Sequence, residues 1–211
     1  MMMLLDNGPP TALSHLILAH GAGAQMTSLF LESLAFELGR EGVRVTRFEF
    51  AYMAGRHVDG VKRPPPRVER LAAEYQAVIS GWPAGSRQRL YIGGKSMGAR
   101  VASQIAGPLH ARGTISGLVA VGYPFHPPRK PESLRVEHLM DVGCPTFIVQ
   151  GTRDPLGSAS EVESYGLPPS IEIEWLEDGD HDLKPRRASG HTQAGHIALA
   201  ARAIAQFMER S

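Results

Sequence analysis

The chain has 211 residues, 43% of them hydrophobic, which suits one domain with a sizeable buried core. Its 22 basic and 21 acidic residues leave a formal charge of +1, which gives no reason to expect a nucleic-acid footprint or a polybasic membrane anchor. The single cysteine, Cys144, cannot bridge internally and reads as a small core residue before Pro145.

In chain order, the apolar run of the first residues stops at Asp6, too short and without the basic leader of a signal peptide. No stretch approaches the roughly 18 apolar residues of a spanning helix, so a cytoplasmic protein is the default expectation. Residues 13–19 (LSHLILA) read as a buried strand, followed by the small-residue turn HGAGA at 20–24. Residues 27–40 place Leu29, Phe30, Leu34 and Leu38 at largely helical spacing, and Gly42 stops the pattern. Residues 43–50 alternate as a strand, 53–66 form a loop rich in Gly and Pro, and 67–82 are helical. The second half repeats the rhythm, with strands at 89–93, 115–122, 145–150 and 171–176. Helices are expected at 97–106, 134–142 (short), 158–165 (weak) and 192–209. Strands joined by helical crossovers imply an α/β fold: a mostly parallel sheet of about six strands with helices on both faces. No repeat, low-complexity tract or linker divides the chain, so residues 1–211 form one domain.

The most informative stretch is 90–100, LYIGGKSMGAR. Gly94-Lys95-Ser96-Met97-Gly98 is a G-x-S-x-G set directly after an apolar strand and directly before a helical pattern, the context a nucleophile elbow requires. There the serine stands exposed at a sharp turn, and glycines on either side allow strand and helix to approach closely. Two nucleotide readings fail. A P-loop needs glycine at position 89, which is Arg89; a dinucleotide fingerprint beginning at Gly21 meets Met26 where its third glycine should stand.

A serine hydroxyl needs a base to take its proton. On this architecture the acid and then the histidine follow the serine in chain order. Asp154 lies just past the strand at 145–150 and His181 just past the strand at 171–176, so both belong on the rim that carries Ser96. The assignment is Ser96 as nucleophile, His181 as general base and Asp154 as orienting acid. Asp178, Asp180 and Asp182 flank His181 too closely in sequence to orient its ring, and Asp141 precedes its strand on the wrong rim. His191 and His196 are five residues apart, neither a helical metal pair nor a zinc motif, so no catalytic metal and no cofactor are expected. The amides of Ala22 and Met97 are the expected oxyanion donors, with His20 bracing the first of these turns.

With HGAGA at 20–24, GGKSMGAR at 93–100, GTRDPLG at 151–157 and DGDHDLK at 178–184, the chain resembles the α/β-hydrolase superfamily. More narrowly it is similar to a small family with single-domain bacterial members. Relatives of that family occur in animals, including a domain of a chromatin-acetylating complex subunit. The resemblance implies a Ser-Asp-His triad at Ser96, Asp154 and His181; the chain departs from larger members in lacking their first two sheet strands, and residues 123–134, where such members often insert a lid, are too few for a cap domain. It implies a serine hydrolase acting on an ester or thioester of a small acyl substrate, or else a catalytically silent binding domain on the same fold. Lys95, Arg100, Arg153, Lys184, Arg186 and Arg187 lie in or near the motif loops. They either favour an anionic substrate or are ordinary solvated charges.

Overall fold

The computed structural model describes residues 3–82 and 87–211. Seven strands form one sheet: β1 (Leu4–Asn7), β2 (Ser14–Ala19), β3 (Arg44–Phe48), β4 (Arg89–Lys95), β5 (Gly117–Val121), β6 (Thr146–Gly151) and β7 (Ile171–Leu176). Their spatial order is β1-β3-β2-β4-β5-β6-β7, and every neighbouring pair is parallel except β1 with β3. The central strands β2, β4, β5 and β6 are apolar over most of their length because helices cover both faces.

The helices are α1 (Leu29–Arg40), α2 (Ala51–Asp59), α3 (Val68–Ser80), α4 (Met97–Ala111), α5 (Ala159–Val162) and α6 (Gln193–Arg210). On one face, α3 and α4 bury Leu71, Tyr75, Val101 and Ile105 against Phe48, Ile92 and Leu118. On the other, α1 and α6 bury Leu31, Leu34, Leu38, Ile204 and Phe207 against Leu16, Val119 and Phe147. Each such fully buried side chain contributes about 1.5–3 kcal/mol relative to exposure. Those two layers set the strand ends in place, and the strand ends carry the site.

Four expectations need correction. The sheet has a seventh strand, β1, half-exposed and too short to show an alternation; it lies antiparallel on β3, with the Asp6 carboxylate bonded to Thr46 and paired with Arg44 at 2.9 Å. The sheet is therefore mostly parallel, as expected, with one antiparallel strand at its edge. The Gly- and Pro-rich stretch begins with α2, whose Tyr52 and Met53 are buried and whose end is set by Gly60 in the left-handed region at φ 71°. The helix expected at 134–142 is a single 3₁₀ turn, Glu137–Leu139. The helix expected at 158–165 divides into α5 and a 3₁₀ turn, Glu163–Tyr165, ended by Gly166. Between β5 and β6 there is only the Glu137–Leu139 turn and extended loop, so among the described residues no cap domain covers the carboxyl ends of the strands. Among the described residues no helix is long and apolar enough to cross a membrane.

Candidate active site

Ser96 sits at the junction of β4 and α4 with φ 54° and ψ −116°, a left-handed conformation that costs a non-glycine residue roughly 1–3 kcal/mol. The surrounding backbone holds it there. Ser96 N–H donates to Val121 O (2.9 Å), and Arg100 N–H donates to Ser96 O (3.0 Å). The two motif glycines have separate steric reasons. A Cβ on Gly94 would lie 2.4 Å from the Gly98 carbonyl carbon, and one on Gly98 would lie 2.6 Å from His20 O. Any side chain at either position would push α4 off the sheet.

The loop after β7 brings His181 over this serine. Ser96 Oγ lies 2.8 Å from His181 Nε2, and His181 Nδ1 lies 2.8 Å from Asp154 Oδ2 on the loop after β6. A carboxylate only accepts, so Nδ1 carries the hydrogen and Nε2 is left to accept the serine proton. Asp154 is wholly buried, and both its oxygens are engaged: Oδ1 accepts from Leu156 N–H (2.8 Å) and Oδ2 also from the Gln150 side-chain amide (2.9 Å). The three side chains chosen from sequence thus form one hydrogen-bonded line of hydroxyl, imidazole and carboxylate. Such a line can move a proton from oxygen to nitrogen and hold the resulting imidazolium against a negative charge.

Gln150 is a member of this hydrogen-bonded cluster that sequence reasoning missed. It ends β6 fully buried, accepts from Tyr123 N–H (2.8 Å), and directs its amide toward Asp154, Tyr123 O (3.2 Å) and Gly157 O (3.1 Å). The available signal was a lone polar residue closing an apolar strand four positions before the acid.

The acidic residues around His181 each have other work. Asp178 accepts from Arg186 Nε (2.7 Å) and pairs with Arg153 at 2.8 Å; the Arg186 contact holds its carboxyl down to about 2. Asp178 N–H also donates to Thr152 Oγ1 (2.8 Å), so the loops bearing Asp154 and His181 are stitched together. Asp180 closes its own turn by accepting from the amides of Asp182 and Lys184. Asp182 reaches Lys95 at 3.3 Å. None of them orients the imidazole, in keeping with the sequence expectation.

The turn after β2 passes beside the serine, since a Cβ on Gly21 would lie 3.7 Å from Ser96 Cβ. The amides of Ala22 and of Met97, at the start of α4, have no acceptor among the described residues. His20 is locked: Phe50 N–H donates to its Nε2 (3.1 Å), leaving Nδ1–H to donate to Gly21 O (2.7 Å). Burial lowers its basicity further, so it braces the turn as a neutral ring. Tyr52 of α2 adds a second brace, donating to Ala22 O (2.9 Å) and lying 3.9 Å from Met97 Sδ. Burial pushes the Tyr52 hydroxyl up to about 12, which keeps it a donor. A cleft of about 920 Å³ opens from Ser96 and His181 along α1. Among the described residues no group of three or more His, Cys, Asp or Glu side chains is arranged to hold a metal ion.

A profile of the family described as "Alpha/beta hydrolase domain" matches residues 12–209. The chain belongs to that family. The match leaves outside it only β1 and the chain ends, so all three aligned side chains of this α/β-hydrolase lie within it. Among solved structures, Est1E from Butyrivibrio proteoclasticus with ferulic acid bound superposes with a TM-score of 0.73 at 12% identity, covering 100% of this chain and 96% of that one. A dienelactone hydrolase from Anabaena variabilis gives 0.72 at 18% identity, covering 98% and 91%. XC6422 from Xanthomonas campestris, described as a serine hydrolase without lid, gives 0.67 at 18% identity, covering 99% and 88%. At these identities the likeness carries the fold of this α/β-hydrolase.

Proposed function

We propose that this α/β-hydrolase is a serine hydrolase, a carboxylesterase or thioesterase, that cleaves a small acyl substrate through an acyl-enzyme. The single observation that carries this reading is the continuous line from Ser96 Oγ to His181 to Asp154, two hydrogen bonds of 2.8 Å each. Ser96 Oγ attacks the substrate carbonyl carbon as its proton passes to His181 Nε2. The imidazolium so formed lies against the buried Asp154 carboxylate. The carbonyl π electrons move to oxygen, and the amides of Ala22 and Met97 donate to that oxyanion; one such donor is typically worth about 10²–10³ in rate. The oxyanion collapses, the bond to the alkoxide or thiolate breaks, and the leaving atom takes the proton from Nε2. Water then repeats the sequence on the acyl-serine, with His181 again the base, and frees the acid and Ser96. Every group in the route is a side chain or a backbone amide of this chain.

The neighbouring folds support the reading through what they are described as: a serine hydrolase without lid, a dienelactone hydrolase, and Est1E with ferulic acid bound. The test is an activity-based fluorophosphonate. Stoichiometric labelling of the folded wild type, located at Ser96 by peptide mapping and abolished by Ser96→Ala and His181→Ala, is the expected outcome. A folded wild type that neither labels nor turns over any ester or thioester would overturn it in favour of a binding domain on this fold.

A further inference from the structure

The cleft beside Ser96 has a wall that ordinary surface chemistry does not explain. Helix α1 buries Leu31, Leu34 and Leu38 in the core, yet Leu29 and Phe36, two turns apart on another face, are 80% and 58% exposed and line the cleft with Phe30 and Ile197. A helix with a single buried stripe would carry polar residues there. Clustered exposed apolar side chains beside reacting groups mark a surface that becomes covered when ligand binds.

The charges in the wall point the same way. Among the described residues Lys95 is its only cation, and it is not free: its side chain is 8% exposed, its ammonium sits 3.3 Å from Asp182 and 5.5 Å from the centre of the Phe30 ring. The remaining charged groups lining the cleft are Glu32, Glu37 and Asp182, and Glu37 is shared with Arg40 at 3.0 Å. Arg153 and Arg186, near the site in sequence, are held by Asp178. An incoming anion would meet the Glu32 carboxylate and an ammonium already balanced by Asp182.

We propose, resting on the serine-hydrolase reading above, that this cleft receives the uncharged, apolar portion of a neutral ester, an aliphatic chain or an aromatic ring laid along α1, and discriminates against anionic esters. The test uses the full chain and two ester series: p-nitrophenyl esters with acyl groups of increasing length, and acetates of alcohols of increasing length. In at least one series kcat/KM rises about three- to fourfold per methylene, the worth of one buried CH₂. The p-nitrophenyl ester of hexanoate outperforms the monoester of adipate, its carboxylated counterpart, by about tenfold or more. The double variant Leu29→Ser, Phe36→Ser, at positions exposed enough to leave the fold intact by circular dichroism, flattens the length dependence. A flat response in both series, or an anionic ester equal to or better than its neutral partner, overturns the inference. Calorimetry of an octanoate methyl ester with the Ser96→Ala chain separates this claim from the catalytic one. Binding that the double variant weakens supports the cleft assignment whatever the labelling result, and absence of binding overturns it even where Ser96 labels.

Discussion

Replacing Asp154 with Asn removes a charge without removing a side chain, and the surrounding donors dictate which way the new amide turns. Oδ2 accepts from both His181 Nδ1 and Gln150 Nε2, at 2.8 and 2.9 Å, whereas Oδ1 accepts only from Leu156 N–H. Gln150 cannot flip to accommodate the change, because Tyr123 N–H donates to its oxygen at 2.8 Å and its amide faces Tyr123 O and Gly157 O. With its NH₂ toward the ring, Asn would oppose two donors; with its oxygen toward the ring, it opposes one. The second orientation wins, so His181 keeps hydrogen on Nδ1 and Nε2 stays free to accept the Ser96 proton. What is lost is the carboxylate charge facing the imidazolium. An ion pair at an effective dielectric near 20, less what the amide oxygen retains, is worth about 2–4 kcal/mol, or a fall in kcat of about 30- to 1,000-fold. Where the ring is forced into the wrong tautomer, Ser-His-Asp enzymes lose about 10⁴. The donor–donor contact at Leu156 costs about 1–3 kcal/mol and lowers Tm by about 2–12 °C in a chain of this size. Steady-state kinetics give the first number, calorimetry the second, and imidazole ¹⁵N shifts report the tautomer. A ring carrying its hydrogen on Nε2, with a loss of 10⁴ or more, would refute the reasoning.

Two further outcomes follow from the same geometry. Tyr52→Phe removes the bond to Ala22 O and loosens the turn that presents the Ala22 amide; it lowers kcat by about fivefold with KM unchanged, the size of one hydrogen bond of about 1 kcal/mol, and an effect confined to KM would contradict it. Burial pulls His15 down to about 4 from its usual 6.5, and also lowers His20 and His138. The unfolded chain therefore binds protons between about pH 6.5 and 4 that the folded chain refuses, so stability falls as pH drops through that window. Thermal melts from pH 7 to 4.5 should show the fall, His15→Gln should shrink it, and equal slopes for both proteins would remove His15 as a cause.

Much of the site was legible because its signals are local. Ser96, Asp154 and His181 each follow a recognisable strand, and parallel strands send all their carboxyl ends to one rim. The glycines of the elbow announce close backbone approach, and the structure supplies the atoms they approach. The illegible parts depend on contacts between distant positions. Nothing near Tyr52 signals that its hydroxyl will meet the turn 30 residues earlier, and α2 itself hides in a stretch whose glycines and prolines read as loop. Lys95 and Asp182 become partners only because the residues beside them, Ser96 and His181, are brought together. Strand β1 escapes notice since four half-exposed residues carry too few alternations, and its place is set by pairing with β3.

The Asp178 cross-tie has a consequence for remodelling the molecule. Because Arg153, Thr152 and Arg186 all grip one residue, the segments that deliver acid and base form a single mechanical part, and lengthening either alone would drag the other out of line. The exposed stretch at 128–134, by contrast, carries none of the groups that hold the reacting side chains. New sequence inserted there would leave the line of reacting side chains in place.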